Sequence, residues 1–306
     1  MSSTEPDLTP SCPGQLVLSG DLRTVVSISD LSRRQAAASH SGPVDFRHDR
    51  PHAARMYDYY LGGKDNYPAD REAAERAVEA FPNLQIAARE NRALMRRAAG
   101  YLARAGFRQF LDIGTGIPTS PNLHEVVQGV TPDAAIVYVD NDPLVLLHSR
   151  ALMTSGPQGR TAYVDADIRE PAAILRAAWN TLDPAQPVAL SLIAVLHFLP
   201  DAEDPYGIVA ELVAGLPEGS AVMLSHVTAD FDPEPMGRLV AIYQDAGIPA
   251  QARSVAEIAR FTAGLQLVEP GITSCQRWHP EIPDPAATGI PVADAEVSCY
   301  AAVARA

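Results

Sequence analysis

The chain has 306 residues, a net charge of −13 and 47% hydrophobic residues, room for a sizeable core in one large domain with decorations, since ordinary domains run to about 100–200 residues. So acidic a chain lacks the clustered Lys and Arg that grip a phosphate backbone, which argues against a nucleic-acid partner. Three widely spaced cysteines, Cys12, Cys275 and Cys299, fit neither a disulfide framework nor a zinc knuckle and suit a reducing cytoplasm.

In chain order, residues 1–45 are rich in Ser, Pro, Asp and Thr without sustained periodicity, and are expected to be disordered. No basic start followed by an apolar stretch marks a signal peptide. From Arg50 the character changes. An aromatic-rich helix is expected over 51–61, stopped by Gly62 and Gly63, followed by helices over 69–80 and 86–105. In the last of these Leu94, Met95, Ala98, Tyr101 and Leu102 form a one-sided stripe. These helices, within 46–107, are expected to form a lid on an α/β core over 108–306.

Beyond them apolar runs predict strands at 110–113, 136–139, 162–164, 188–196, 221–227, 265–268 and 297–303, with helices or long loops between the first six. Ser254-Val-Ala-Glu257 is a capping box opening the helix before the sixth strand. Near-continuous apolar strands such as 188–196 imply a parallel sheet covered on both faces. The apolar run ending at Leu199 is too short to cross a bilayer, so no membrane partner is expected. The proline-rich connection 271–296 has no helical period, so the last two strands are expected to pair antiparallel. The fold expected is therefore a doubly wound, seven-stranded, mostly parallel sheet with an antiparallel last strand, preceded by helices.

Ligands of such sheets bind beyond the carboxyl ends of the strands. The first strand ends in Asp112-Ile-Gly114-Thr115-Gly116, where glycines let the backbone turn sharply and approach a ligand. Ser120 is expected to cap the next helix with Pro121 in its first position. The second strand ends at Asp140-Asn141-Asp142, where a carboxylate suits the vicinal hydroxyls of a ribose. The third yields Asp165-Ala-Asp167-Ile168, an acceptor beside an apolar face that suits an adenine. The fourth yields Ile193-Ala-Val-Leu-His197. Each acid alone is better read as a turn former or helix N-cap, but four successive strand ends carrying compatible groups reverse that and point to a nucleoside cofactor.

On these residues the chain resembles the class I S-adenosylmethionine-dependent methyltransferases. The stretch Ala54-Arg-Met-Tyr-Asp-Tyr-Tyr-Leu-Gly-Gly-Lys-Asp-Asn-Tyr67 is similar to the N-terminal signature of an actinobacterial S-adenosyl methyltransferase family formerly classed as a domain of unknown function. The likeness runs from about His48 to the C-terminus. It implies S-adenosylmethionine as cofactor, with Asp112, Gly114 and Gly116 at its methionine part, Asp140 at the ribose, and Asp167 with Ile168 at the adenine. Thr115, Asn141 and Ile193 adjoin these positions. It implies a Rossmann-like sheet with an antiparallel seventh strand, and it supplies no substrate.

Competing motifs fail. A dinucleotide fingerprint needs a third glycine where Thr119 stands, which weakens a nicotinamide-dependent oxidoreductase. Gly62-Gly63-Lys64 lacks the rest of a phosphate loop, and Asp140-Asn-Asp142 and Asp165-Ala-Asp167 lack further ligands for a metal. His197 is the best-placed base for a hydroxyl acceptor, with packing beneath the cofactor as its other role; His226 is a weaker choice. Lys64 and Asn66 are candidates for the methionine carboxylate or carbonyl, and Tyr57, Tyr60 and Tyr67 for stacking over the site or for core packing. The acidic loop 228–236 raises a cationic or polyhydroxylated small-molecule acceptor. Open alternatives are a cofactor-binding sensor or partner subunit without an acceptor pocket, and a homodimer formed through 230–250.

Overall fold

Among the described residues three helices precede the first strand, the first two held by their end chemistry. The computed structural model describes residues 48–284 and 291–306; the stretch 1–45, expected to be disordered, and Cys12 lie outside them. Helix α1 (Ala53–Tyr60) starts where the His52 ring accepts from Ala54 N (3.3 Å). It ends where Gly62, at φ +78°, lets Gly63 N donate back to Asp58 O (2.8 Å). Helix α2 (Pro68–Ala80) has proline in its first turn, and Asp70 accepts from Tyr67 N (2.8 Å) and from His52 N (2.9 Å), joining the starts of α1 and α2. Helix α3 (Leu84–Arg104) buries Ala88, Asn91, Met95, Ala98 and Leu102, the spacing of one helical face.

The sheet then forms in the order β3-β2-β1-β4-β5-β8-β6, with β7 also paired to β8. Its strands are β1 (Gln109–Ile113), β2 (Ala135–Asp140), β3 (Arg160–Asp165), β4 (Ala189–Leu192), β5 (Ala221–Val227), β6 (Gln266–Leu267), β7 (Thr273–Ser274) and β8 (Cys299–Arg305). The first five are parallel, whereas β8 runs antiparallel to β5 from Ala221 opposite Arg305 to Val227 opposite Cys299. Alternate side chains feed two cores: Phe110, Ile136 and Met223 pack on one face, Leu111, Val137 and Val222 on the other. This is why the central strands read as unbroken apolar runs.

Between the strands lie α4 (Leu123–Gln128), α5 (Pro143–Leu152), α6 (Pro171–Ala178), α7 (Pro205–Ala214), α8 (Pro233–Asp245), α9 (Val255–Ala259) and α10 (Asp294–Val297). A third cluster joins Met56 and Tyr60 of α1 and Ala73 and Ala77 of α2 to Met236, Leu239 and Tyr243 of α8. That face of α8, in the segment considered for a dimer interface, is therefore used within the chain. No helix of the described residues is long and apolar enough to cross a membrane.

The sheet and the antiparallel pairing of the last strand with β6 agree with expectation; four details differ. The fourth strand stops at Leu192 rather than 196, because Ala194 turns to φ +55° and gives its N–H to Ser225 Oγ (2.9 Å) instead of a ladder partner. The segment 271–296 contains β7 and α10. The last strand begins at Cys299, not 297, since Val297 closes α10 and Ser298 sits at φ +42°. The cap of α4 is Asn122 rather than Ser120, because Glu125, three residues on, accepts from Asn122 N. The capping box at Ser254 forms as expected: Ser254 N donates to Glu257 Oε2 (2.8 Å).

Candidate active site

At the carboxyl ends of β1, β2 and β4 a cavity of about 470 Å³ opens beneath α1, α3 and α8. Its floor is the glycine turn after β1. Gly114 N and Thr115 N both donate to Val139 O (2.9 and 3.2 Å), strapping the turn to β2. Gly116 N then donates to Asp140 Oδ2 (2.9 Å). Gly114 and Gly116 lie at φ +75° and +68°, where a side chain is strained. A Cβ on Gly114 would meet Val195 Cγ2 at 2.6 Å, whereas one on Gly116 would meet no protein atom within 4 Å. The space above Gly116 is open, and Gly116 lines the cavity.

Two carboxyl groups stand on this floor. Asp140, 7% exposed, accepts from Asp142 N (2.9 Å) as well as from Gly116. Burial pushes it up to about 6, opposed by these backbone N–H donors. Asp112, opposite Ser191 in the sheet, is likewise pushed up to about 6 by burial, opposed by Ser191 and the Arg92 guanidinium.

The helical layer is fastened to this floor by buried charge. Arg55, 1% exposed, donates from Nε to both oxygens of Asp70 (3.0 and 2.9 Å) and pairs through Nη1 with Asp142 (3.5 Å), the residue that caps α5. Arg92 reaches from α3 to the carbonyls of Thr119 and Pro121 through Nη2. Its Nε is enclosed without a partner. A guanidinium with unspent donors beside Asp112 is suited to a carboxylate.

The far wall is different. Tyr57 donates to Ala88 O (3.0 Å) and accepts from Asn91 Nδ2 (2.8 Å), and burial pushes its hydroxyl up to about 12. Asn91 Oδ1 accepts from Ser225 Oγ (2.6 Å). Tyr60 and Tyr243 share a hydrogen bond between their hydroxyls (2.9 Å).

His197 lies not at a strand end but on the 3₁₀ turn Leu196–Phe198, where it lines the cavity at 8% exposure. Burial, with Arg253 nearby, lowers it to about 3, so its ring is neutral at any working pH. Its Nδ1 is enclosed without a partner, leaving Nε2 as the nitrogen with access. His226 is ruled out as a base: Arg253 Nη1 donates to its Nε2 (2.8 Å), its Nδ1 donates to Val227 O (2.7 Å), and it is fully buried. Arg253 also holds the turn of His197 through Leu196 O and Leu199 O (3.3 and 2.7 Å).

Of the residues singled out from sequence, Asp112, Gly114, Thr115, Gly116, Asp140, Asn141, Ile168, Ile193 and His197 line this one cavity. Asp167 does not, though Ala166 and Ile168 beside it do; its carboxylate accepts from Asn141 Nδ2 (2.7 Å) and Arg169 N (2.9 Å). Lys64, Asn66 and Tyr67 also fall outside the lining. Lys64 is exposed. Asn66 is consumed in holding the turn after α1, donating to Asp58 Oδ2 (2.8 Å) and Gly63 O (3.2 Å) and accepting from Arg71 (3.0 Å). Tyr67 packs on Ile117, Leu144 and Val145. The acidic loop contributes only Met236 to the lining; Asp230 instead accepts from Val255 N (2.8 Å). Arg92 and Asn91 were missed. Both lie beside the apolar stripe of α3, where the local pattern gives no sign that they face a cavity.

Comparison with known proteins identifies the family of the chain. The model of the S-adenosyl methyltransferase family matches residues 39–306. The crystal structure of a DUF574 family protein from Streptomyces avermitilis is 49% identical, with a TM-score of 0.81, covering 85% of this chain and 99% of that one. A proposed methyltransferase from Thermobifida fusca is 36% identical, with a TM-score of 0.77, covering 87% and 99%. No curated protein matches. The chain belongs to the S-adenosyl methyltransferase family, with S-adenosylmethionine as its cofactor.

Proposed function

We propose that the chain methylates a hydroxyl group of a small-molecule acceptor seated against His197. In this reading Asp140 receives the ribose hydroxyls, Arg92 the methionine carboxylate and Asp112 the ammonium, while Ile168 offers an apolar face to the adenine. Arg92 takes the part first considered for Lys64. No nucleic acid is required, and a reducing, cytoplasmic setting suits the free thiols of Cys275 and Cys299.

The cofactor supplies a methyl group on a sulfonium sulfur: the acceptor oxygen's electron pair forms the new C–O bond as the S–C bond breaks, and the sulfur keeps that bond's electron pair. The protein's task is to align the oxygen and exclude water. A neutral imidazole lowered to about 3 is a poor base for a free hydroxyl. It accepts the hydroxyl's hydrogen bond at first and takes the proton once the C–O bond forms, because an alkylated oxonium is a far stronger acid than imidazolium.

The observation that carries this reading is His197 itself, a buried ring that lines the cavity with no hydrogen-bond partner from the described residues. A sensor of the cofactor has no need of such a wall. The test is transfer of tritiated methyl from S-adenosylmethionine to a panel of phenols, amines and carboxylic acids. Oxygen labelling of phenols is expected, with His197→Ala slowing it by about 100-fold at unchanged cofactor affinity. Labelling of amines alone, or a variant within about threefold of the parent, would return His197 to a packing role.

A further inference from the structure

The two ends of the cavity differ in chemistry, and the difference selects the acceptor. The charged lining residues, Arg55, Arg92, Asp112, Asp140 and Arg169 among them, gather round the ends of β1, β2 and β3. The rest of the wall, from α8 and the turn after it, the end of α1 beyond Arg55 and the start of α3 as far as Asn91, adds no charged lining residue. It presents Tyr57, Tyr60, Leu239, Tyr243 and Ile248, with Phe198 beside His197. The rings of Phe198 and Tyr243 lie 6.0 Å apart at 31° to one another, a face for a flat molecule rather than a flexible chain. An ammonium or carboxylate brought against this wall would lose its water with nothing of opposite charge to replace it.

Beyond Tyr57 and Asn91, which are bonded to each other and to Ala88 O and Ser225, two polar features interrupt the wall. One is the unpartnered ring of His197. The other is the pair Tyr60 and Tyr243, buried at 2% and 9% exposure and 2.9 Å apart. Two hydroxyls carry two protons, and the bond between them spends one. No other acceptor within the described residues takes the second, so it is available to an oxygen or ring nitrogen of a bound molecule. Burial raises both tyrosines, which keeps them protonated donors.

We propose that the acceptor is an uncharged, flat aromatic molecule with one hydroxyl at His197 and a second polar atom that accepts from the Tyr60–Tyr243 pair. This rests on the methyltransferase reading and narrows it. It also sets aside the cationic acceptor that the acidic loop 228–236 had raised, since the carboxylates of that loop do not reach the cavity.

The test uses the full chain saturated with S-adenosylhomocysteine, titrated by calorimetry with 2,7-dihydroxynaphthalene, 2-naphthoate and protonated 2-(aminomethyl)naphthalene, rings of one size and three charges. The expected result is binding of the diol at least tenfold tighter than of either ion. Tyr243→Phe is expected to weaken diol binding by about fivefold or more, while binding of S-adenosylhomocysteine to the variant stays unchanged and shows that it is folded. Equal or tighter binding of an ion, or a diol indifferent to Tyr243→Phe, overturns the proposal and leaves the cofactor site standing. Failure of S-adenosylhomocysteine to bind the parent protein overturns the methyltransferase reading and this proposal with it.

Discussion

Asn91 on α3 accepts a 2.6 Å hydrogen bond from Ser225 on β5, 134 residues away. Ser225 Oγ in turn accepts from Ala194 N, three residues before His197. Roof, sheet and the turn that carries His197 are thus one hydrogen-bonded unit. Asn91→Ala leaves Ser225 and Tyr57 with unmet groups in a buried place, and is expected to cost about 2–3 kcal/mol in urea denaturation. A double-mutant cycle with Ser225→Ala should return a coupling of about 1 kcal/mol or more. Additive effects would show that the two side chains act independently.

The two glycines of the turn should separate folding from binding. Gly114→Ala forces a Cβ against Val195 in addition to a strained φ, and is expected to lower the thermal midpoint clearly. Gly116→Ala meets no protein atom, so its folding cost is the backbone alone, about 1–2 kcal/mol. Its loss appears in calorimetry, as cofactor affinity reduced at least tenfold. A Gly116→Ala variant that binds normally would mean that no ligand occupies this space.

Arg92 and Lys64 offer a second contrast. Lys64→Ala is expected to leave cofactor affinity within twofold, since the side chain is exposed and away from the cavity. Arg92→Ala removes a charged hydrogen-bond donor set worth about 1.5–3 kcal/mol, a weakening of roughly 10–100-fold. The reverse ranking would restore Lys64 to the site.

Acid should weaken cofactor binding through Asp112 and Asp140, and act on stability through buried groups that oppose one another. Asp112 and Asp140 are both raised to about 6, and in the proposed binding mode must be ionised to accept the cofactor's ammonium and hydroxyl protons. Affinity is full above pH 7 and falls as pH drops through 6, by about tenfold or more at pH 5. In the cofactor-free protein the folded state binds these protons more tightly than the unfolded chain does, so the two groups add stability as pH falls from 7 toward 5. Calorimetric titrations and thermal melts at pH 5 and 7.5 measure both slopes. His197 and His226, held neutral in the fold by burial but protonated in the unfolded chain below the usual 6.5, oppose that gain and lower stability over the same range, whereas His197 adds no limb to binding.

Much of this arrangement is legible in the residues, for identifiable reasons. The helices α1 to α3 announce themselves because their ends carry Gly62-Gly63, Pro68 and an apolar stripe, each a local signal. Strands buried on both faces read as apolar runs. The end of β4 is hidden because the run stays apolar through Leu196 and Leu199, which are as buried in the 3₁₀ turn as in a strand, and because nothing in the identity of Ala194 announces a positive φ. Polar residues after a Gly-Gly stop look free for a ligand, yet Asn66 is used to hold Asp58. Arg92 escapes because a helix read for its apolar stripe conceals a cation beside it. Such placements depend on contacts between residues far apart in the chain, which local patterns do not encode.

The central claim is that S-adenosylmethionine binds at the carboxyl ends of β1 and β2 with Asp140 on its ribose. Isothermal titration of S-adenosylhomocysteine, with NADPH as control, into the parent protein and Asp140→Ala at pH 7.5 tests it directly. Micromolar binding to the parent, weakened at least tenfold in the variant and absent for NADPH, is the expected result. Binding that survives Asp140→Ala unchanged, or NADPH bound in place of S-adenosylhomocysteine, would contradict it.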